Sequence, residues 1–313
     1  MEESKQKKVM LVTDSTFSGV NSHSHRNDFL IILEVIFLYL FMIITFPFRA
    51  ILRLILKDNF CFITMMTFNM IKNKKNLKSI LEKKDNFDKI FGEIFYKFGY
   101  EKYDFKIQTL NGLTYSVFKK SEYSRKFFER KITEFKPECL ILTIGLNDAL
   151  YRESKANIME GFKELCILSV ENGVKEIVLV KPPYYWLSNL IEAKESNRYI
   201  KNIINAFEIG FAGALSVFNI SSLNHDDLSW RLIYRADLDS FCEKIGDEYY
   251  YSAGERKLRI IFDEADFLNV LGMKTLNRCK SEGIEYLGID CLHPSSAFTK
   301  EFEKEIDSIS TEI

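Results

Sequence analysis

The chain has little of what loops and small secreted folds are built from. Its 313 residues include 5 prolines, 14 glycines, 4 histidines and 2 tryptophans. So few glycines and prolines exclude collagen-like and low-complexity chains, and 27 Phe with 15 Tyr exclude a disordered one. A surplus of one charge sign is also missing: 43 Lys and Arg stand against 44 Asp and Glu, a net charge of −1. No global field holds a nucleic-acid backbone, so no nucleic-acid partner is expected. None of the six cysteines (Cys61, Cys139, Cys166, Cys242, Cys279, Cys291) forms a C-x-x-C pair, which removes zinc knuckles and thioredoxin-type sites. Cys139 and Cys166 lie in apolar runs and read as buried, reduced thiols. The charged start MEESKQKK is not a secretory signal and points to a reducing compartment, the cytoplasm. Walker A, G-x-G-x-x-G, H-E-x-x-H and G-x-S-x-G patterns are all absent. His23 and His25 are spaced i, i+2 without an acidic or thiol partner at a convincing spacing, and His225 reads as part of a solvated loop. Neither a metal nor a cofactor is expected.

What is present is an alternation. Short Val/Ile/Leu-rich runs at 8–13, 104–110, 138–144 and 176–180, with a fifth at 214–219, read as strands buried on both faces. Helical stretches at 121–134, 155–172 and 189–210 lie between them, and Gly173 follows the second as a helix-terminating residue. Strands alternating with helices predict one α/β domain over 1–313, with a parallel sheet covered on both faces. Two long intervals, 18–103 and 221–288, read as insertions in that domain. The second is charged and aromatic and is expected to shape a substrate site, with Trp230, Tyr249, Tyr250 and Tyr251 either as contacts or as core packing.

The first interval carries an apolar block. Residues 29–48 hold Glu34 as their only charge, near the ~20 apolar residues that cross a bilayer. Arg49, Arg53 and Lys57 follow among apolar residues, then a second apolar run at 60–71 and a basic KNKKNLK. Phe29, Phe37 and Phe41 on the apolar side, with Arg49, Arg53 and Lys57 towards anionic headgroups, fit a monotopic or re-entrant helix on the cytoplasmic face of a membrane. The alternative is a very apolar buried helix or a homo-oligomer interface.

In open α/β sheets ligands bind beyond the carboxyl ends of the strands. Asp14-Ser15 follows the first run, Asn111-Gly112 the second and Gly145-Leu146-Asn147-Asp148 the third, while Asp290-Cys291-Leu292-His293-Pro294 precedes a final helical stretch. These are the parts ester chemistry needs: a serine hydroxyl, a histidine base, a carboxylate to orient it and donors for an oxyanion. TDSTFSG, TLNGLTYS, IGLND and DCLHPS resemble blocks I, II, III and V of the SGNH (GDSL-type) hydrolases, in the family's order. The residue before Asp14-Ser15, usually glycine in that family, is Thr13. The resemblance implies a flavodoxin-like three-layer α/β/α fold and a serine ester hydrolase, and the apolar block directly after the nucleophile points to a membrane-associated enzyme whose substrate is an acyl ester of a lipid or glycan. It assigns Ser15 as nucleophile, His293 as base and Asp290 as triad acid. The N–H groups of Ser15 and Gly112 and the Asn147 side chain would form the oxyanion hole, and Asp14 and Asp148 would shape the loops. Acyl transfer at the same site, and a catalytically silent binding protein of this fold, are the competing readings.

Overall fold

The computed structural model describes residues 6–14, 77–97, 102–110, 112–150, 153–182, 232–286 and 294–309, and the single positions 40, 44, 47 and 51. Four of the expected strands form within one residue of their expected ends: β1 (Lys7–Thr13), β2 (Tyr103–Thr109), β3 (Cys139–Thr143) and β4 (Glu176–Leu179). They join β5 (Glu243–Ile245), β6 (Glu248–Ala253) and β7 (Arg256–Phe262) in one seven-stranded sheet of order β2-β1-β3-β4-β7-β6-β5. Pairing is parallel from β2 through β7 and antiparallel in the β7-β6-β5 extension.

Every residue of β3 is buried, as a strand covered on both faces requires. Strand side chains alternate between faces, so β1 serves two cores. Val9 and Leu11 meet Phe87 and Phe91 of α2 (Lys84–Lys97), Leu271 of α8 (Phe267–Glu282) and Phe298 of α9 (Ser296–Ile309). Met10 and Val12 meet Phe128 of α4 (Glu122–Phe135) and Phe162 and Leu165 of α6 (Lys155–Glu171). Four short helices complete the described residues: α1 (Leu77–Leu81), α3 (Val117–Lys120), α5 (Leu146–Leu150) and α7 (Arg235–Leu238). Two of the three expected helices are α4 and α6, whose N-cap serines, Ser121 and Ser154, accept the N–H of Ser124 and Asn157. Gly173 follows α6, and its N–H bonds the Val170 carbonyl at 3.1 Å.

Two expectations change. The interval 221–288 is not an insertion: it supplies β5, β6 and β7, and β7 is the fifth parallel strand, paired with β4. Tyr249 and Tyr251 belong to its core, 2% and 9% exposed, and the Tyr250 hydroxyl bonds Glu248 on the same strand. The interval 18–103 ends in ordinary sheet architecture as well. Its residues 84–97 form α2, a crossover helix between β1 and β2 whose Phe87 stacks on Phe105 at 4.3 Å. The expected strand 214–219, the expected helix 189–210 and Trp230 lie outside the described residues.

Most of the apolar block, with Phe29, Phe37, Phe41, Arg49, Arg53 and Lys57, also lies outside them. Within it Leu40, Ile44, Pro47 and Ile51 are helical and exposed. Among the described residues no helix is long and apolar enough to cross a membrane.

Candidate active site

β1 lies between β2 and β3, so the connections leaving it and β3 run to opposite sides of the sheet. The crevice between the carboxyl ends of β1 and β3 is where such a sheet binds ligands. Two of the expected residues meet across it. Asn147, in the first turn of α5, donates its Nδ2 to Asp14 Oδ2 at 3.2 Å and to the Leu113 carbonyl at 3.3 Å. Asp14 and Asn147 are both buried, at 1% and 6% exposure. One amide therefore ties the segments after β1, β2 and β3 together, and both its N–H groups are engaged.

Asp148 adds the second tie. Its Oδ2 accepts the Tyr115 N–H at 2.8 Å and its Oδ1 the Ser116 N–H at 3.3 Å. The carboxyl is fully buried, and burial pushes its pKa up to about 7 against the pull of the two N–H donors. A raised carboxyl pKa favours the fold while the group is protonated. Its contribution is fully present below about pH 4, the ordinary carboxylate range, and is lost as pH rises through about 7. Asp148→Asn removes that pH dependence. It also turns an NH₂ towards one backbone N–H, at a cost of about 1–3 kcal/mol for the donor left unpaired. Urea melts at pH 5 and pH 8 check both: the wild type is more stable at pH 5, whereas the variant is less stable than wild type and loses less stability over this interval, the remainder coming from the other raised carboxyls, Glu176 and Asp263.

Two glycines permit the loop geometry. Gly145 has φ +130°, open to glycine and strained for other residues. Gly112 has φ +67°, and its N–H forms no hydrogen bond among the described residues. Gly161, which sequence reasoning passed over, lies within α6 where a Cβ would sit 2.0 Å from the Tyr115 carbonyl oxygen. The helix thus packs backbone to backbone on the loop that Asp148 holds. An isolated glycine inside an otherwise helical pattern is the signal for such a contact.

The carboxyl ends of the strands collect polar atoms. Thr13 pairs in register with Thr109 on one side and Thr143 on the other, so all three point to the same face. Among the described residues their hydroxyls are buried without a hydrogen-bond partner, as is Oδ2 of Asp263 just after β7. Buried polar atoms of this kind are rare in folded chains and concentrate where function requires them.

Ser15, Asn111, Asp290 and His293 lie outside the described residues. The chain re-enters the description at Pro294. Ser295 then caps α9 by accepting the Phe298 N–H at 2.9 Å, while its own N–H bonds the Tyr286 carbonyl at 3.0 Å. No group of three or more His, Cys, Asp or Glu side chains able to hold a metal occurs among the described residues.

Beside Gly145 opens a cavity of about 270 Å³ between the ends of β3, β4 and β7 and the residues leading into α7. Comparison of the chain with protein-family models, with curated proteins and with solved structures finds no match.

Proposed function

We propose that this chain is a membrane-associated serine ester hydrolase of the SGNH type, built on a flavodoxin-like three-layer fold. The observation that carries the reading is the hydrogen-bonded knot at the sheet's switch point. Asn147 and Asp148 of the block III segment grip Asp14 of block I and the Leu113–Ser116 loop of block II. The parallel strands, taken alone, follow the doubly wound order 2-1-3-4-5 once β7 is counted as the fifth.

In the proposed reaction His293 takes the proton of the Ser15 hydroxyl as its oxygen attacks the ester carbonyl. Asp290 stabilises the imidazolium that forms. The tetrahedral oxyanion is met by the N–H groups of Ser15 and Gly112 and by Asn147 Nδ2. Both Asn147 donors are engaged in this structure, so the oxyanion replaces the weaker bond, the one to the neutral Leu113 carbonyl. Collapse of the intermediate breaks the ester bond, and His293 returns the proton to the departing alcohol. Water then enters by the same route and releases the carboxylic acid.

The membrane part rests on the apolar block and on the exposed apolar positions Leu40, Ile44 and Ile51. Ser15 precedes the block, while Gly112, Asn147 and His293 follow it. A single crossing would separate the nucleophile from its base, and Arg49, Arg53, Lys57 and Asp58 at the start of the second apolar run make a two-span hairpin costly, which favours a block that enters one leaflet without crossing.

Full-length protein incubated with p-nitrophenyl esters is expected to yield free carboxylate. With glycerol or glucose added, an acylated alcohol as the main product reassigns the site to acyl transfer. No turnover by well-folded protein favours the silent reading. Fractionation is expected to place the protein with membranes, and its full recovery in the soluble fraction without detergent or high salt contradicts membrane association.

A further inference from the structure

We propose that the cavity beside Gly145 receives the acyl chain of the substrate, and that it selects short chains over those of long-chain lipids. This rests on the ester-hydrolase reading and names its substrate class.

The cavity's position makes the first argument. A Cβ on Gly145 would lie 3.5 Å from Leu232 and 3.8 Å from both Pro182 and Tyr115, all three of which line the cavity. Gly145 thus lies directly behind these three lining side chains, next to Ile144, which lines the cavity itself. Asn147 is two residues further on, at most about 7 Å of chain. A carbonyl carbon held at the Asn147 donor has its tail at the cavity mouth.

The lining makes the second. Ile144, Leu179 and Phe262 come from the strand ends, and Leu232 and Ile233 from the chain before α7. The two cations on the wall have partners of their own. Lys181 lies 3.5 Å from Asp266, Arg235 bonds Glu264, and both side chains are about two-fifths exposed, at the rim. Asp263 accepts the N–H groups of Ala265 and Phe267 at the start of α8, which leaves only its Oδ2 without a partner among the described residues. The surface offered to a ligand is thus mostly hydrocarbon.

The size makes the third. About 270 Å³ falls just below the ~300–1,000 Å³ of pockets that enclose drug-sized molecules. At the ~30 Å³ that a water-sized group occupies in a liquid, this volume holds a chain of about nine carbons, so an octanoyl chain fits and the tail of a long-chain lipid does not.

Each methylene buried in such a pocket raises kcat/KM by about fourfold. Wild-type protein assayed with p-nitrophenyl acetate, butyrate, hexanoate, octanoate and dodecanoate is expected to rise through butyrate and to decline before dodecanoate. Leu232→Trp puts an indole into the cavity and is expected to lower the hexanoate-to-acetate ratio of kcat/KM by at least tenfold. Leu232→Ala enlarges the cavity and moves the optimum to a longer chain, which keeps the test open if the tryptophan variant does not fold. Turnover with the same chain-length profile in all three proteins overturns the assignment, as does a wild-type optimum at dodecanoate. Absence of turnover with every ester overturns the hydrolase reading and this assignment with it.

Discussion

Replacing Ser15 by alanine is expected to abolish ester turnover, with kcat falling by about 10⁵–10⁶. Alanine removes the attacking oxygen and leaves the rest of the site intact, so binding survives and KM changes little. A residual rate above the uncatalysed reaction is expected, because the oxyanion donors still act on a water molecule. Those donors sit on a preorganised frame. Asn147 is held by Asp14 and Leu113, and the Tyr115–Ser116 loop by Asp148. Donors fixed in advance need no rearrangement as charge develops, which is why such frames contribute strongly to rate. Steady-state kinetics on the purified variant, with circular dichroism to establish folding, check the prediction. A variant that retains a tenth of wild-type activity contradicts the assignment of the nucleophile.

The second large effect concerns stability. Gly161→Ala is expected to destabilise the protein by about 2 kcal/mol or more, although alanine is the better helix former. Helix propensity alone favours alanine over glycine by ~1 kcal/mol. Against this, the new methyl would lie 2.0 Å from the Tyr115 oxygen and 2.5 Å from its carbonyl carbon. Those are backbone atoms that no rotamer change can move, so the overpacking cost lies at or above the upper end of ~1–3 kcal/mol. Relief requires α6 to move away from the loop that Asp148 grips, so activity falls together with stability. Gly92→Ala in α2 is the control: nothing lies within 4 Å of its added Cβ, and the same substitution is expected to stabilise by up to about 1 kcal/mol. Urea denaturation of the two variants gives opposite signs if close backbone packing is the cause.

The sequence made some of these features legible and hid others, for physical reasons. β1 to β4 were readable because strands buried on both faces are almost continuously apolar, as in CLILT of β3. β7, RKLRIIF, escaped because basic residues break its apolar run. Its signal lay in the turns: Gly246 and Gly254, both at positive φ, each open a two-residue loop between β5, β6 and β7. Reading those loops as hairpins would have made the charged interval part of the sheet. α2 was hidden for a different reason, standing next to a far more apolar block that dominated the interval.

The candidate site was half legible. Asp14, Gly112, Asn147 and Asp148 were marked by their places after strands, and Asn147 and Asp148 do hold the neighbouring loops. That Asn147 spends both donors on this task could not be read from spacing, since it depends on β3 lying beside β1. The cavity beside Gly145 was equally hidden, because its walls come from β3, β4, β7 and the approach to α7.

The central claim is that Ser15 is an activated nucleophile. Treating the full-length protein with a fluorophosphonate and mapping the adduct by peptide mass spectrometry tests it most directly. The account predicts one stoichiometric adduct on Ser15, absent from Ser15→Ala and prevented by prior acylation with a short-chain ester. Folded protein that takes up no label, or takes it up on another serine, contradicts it.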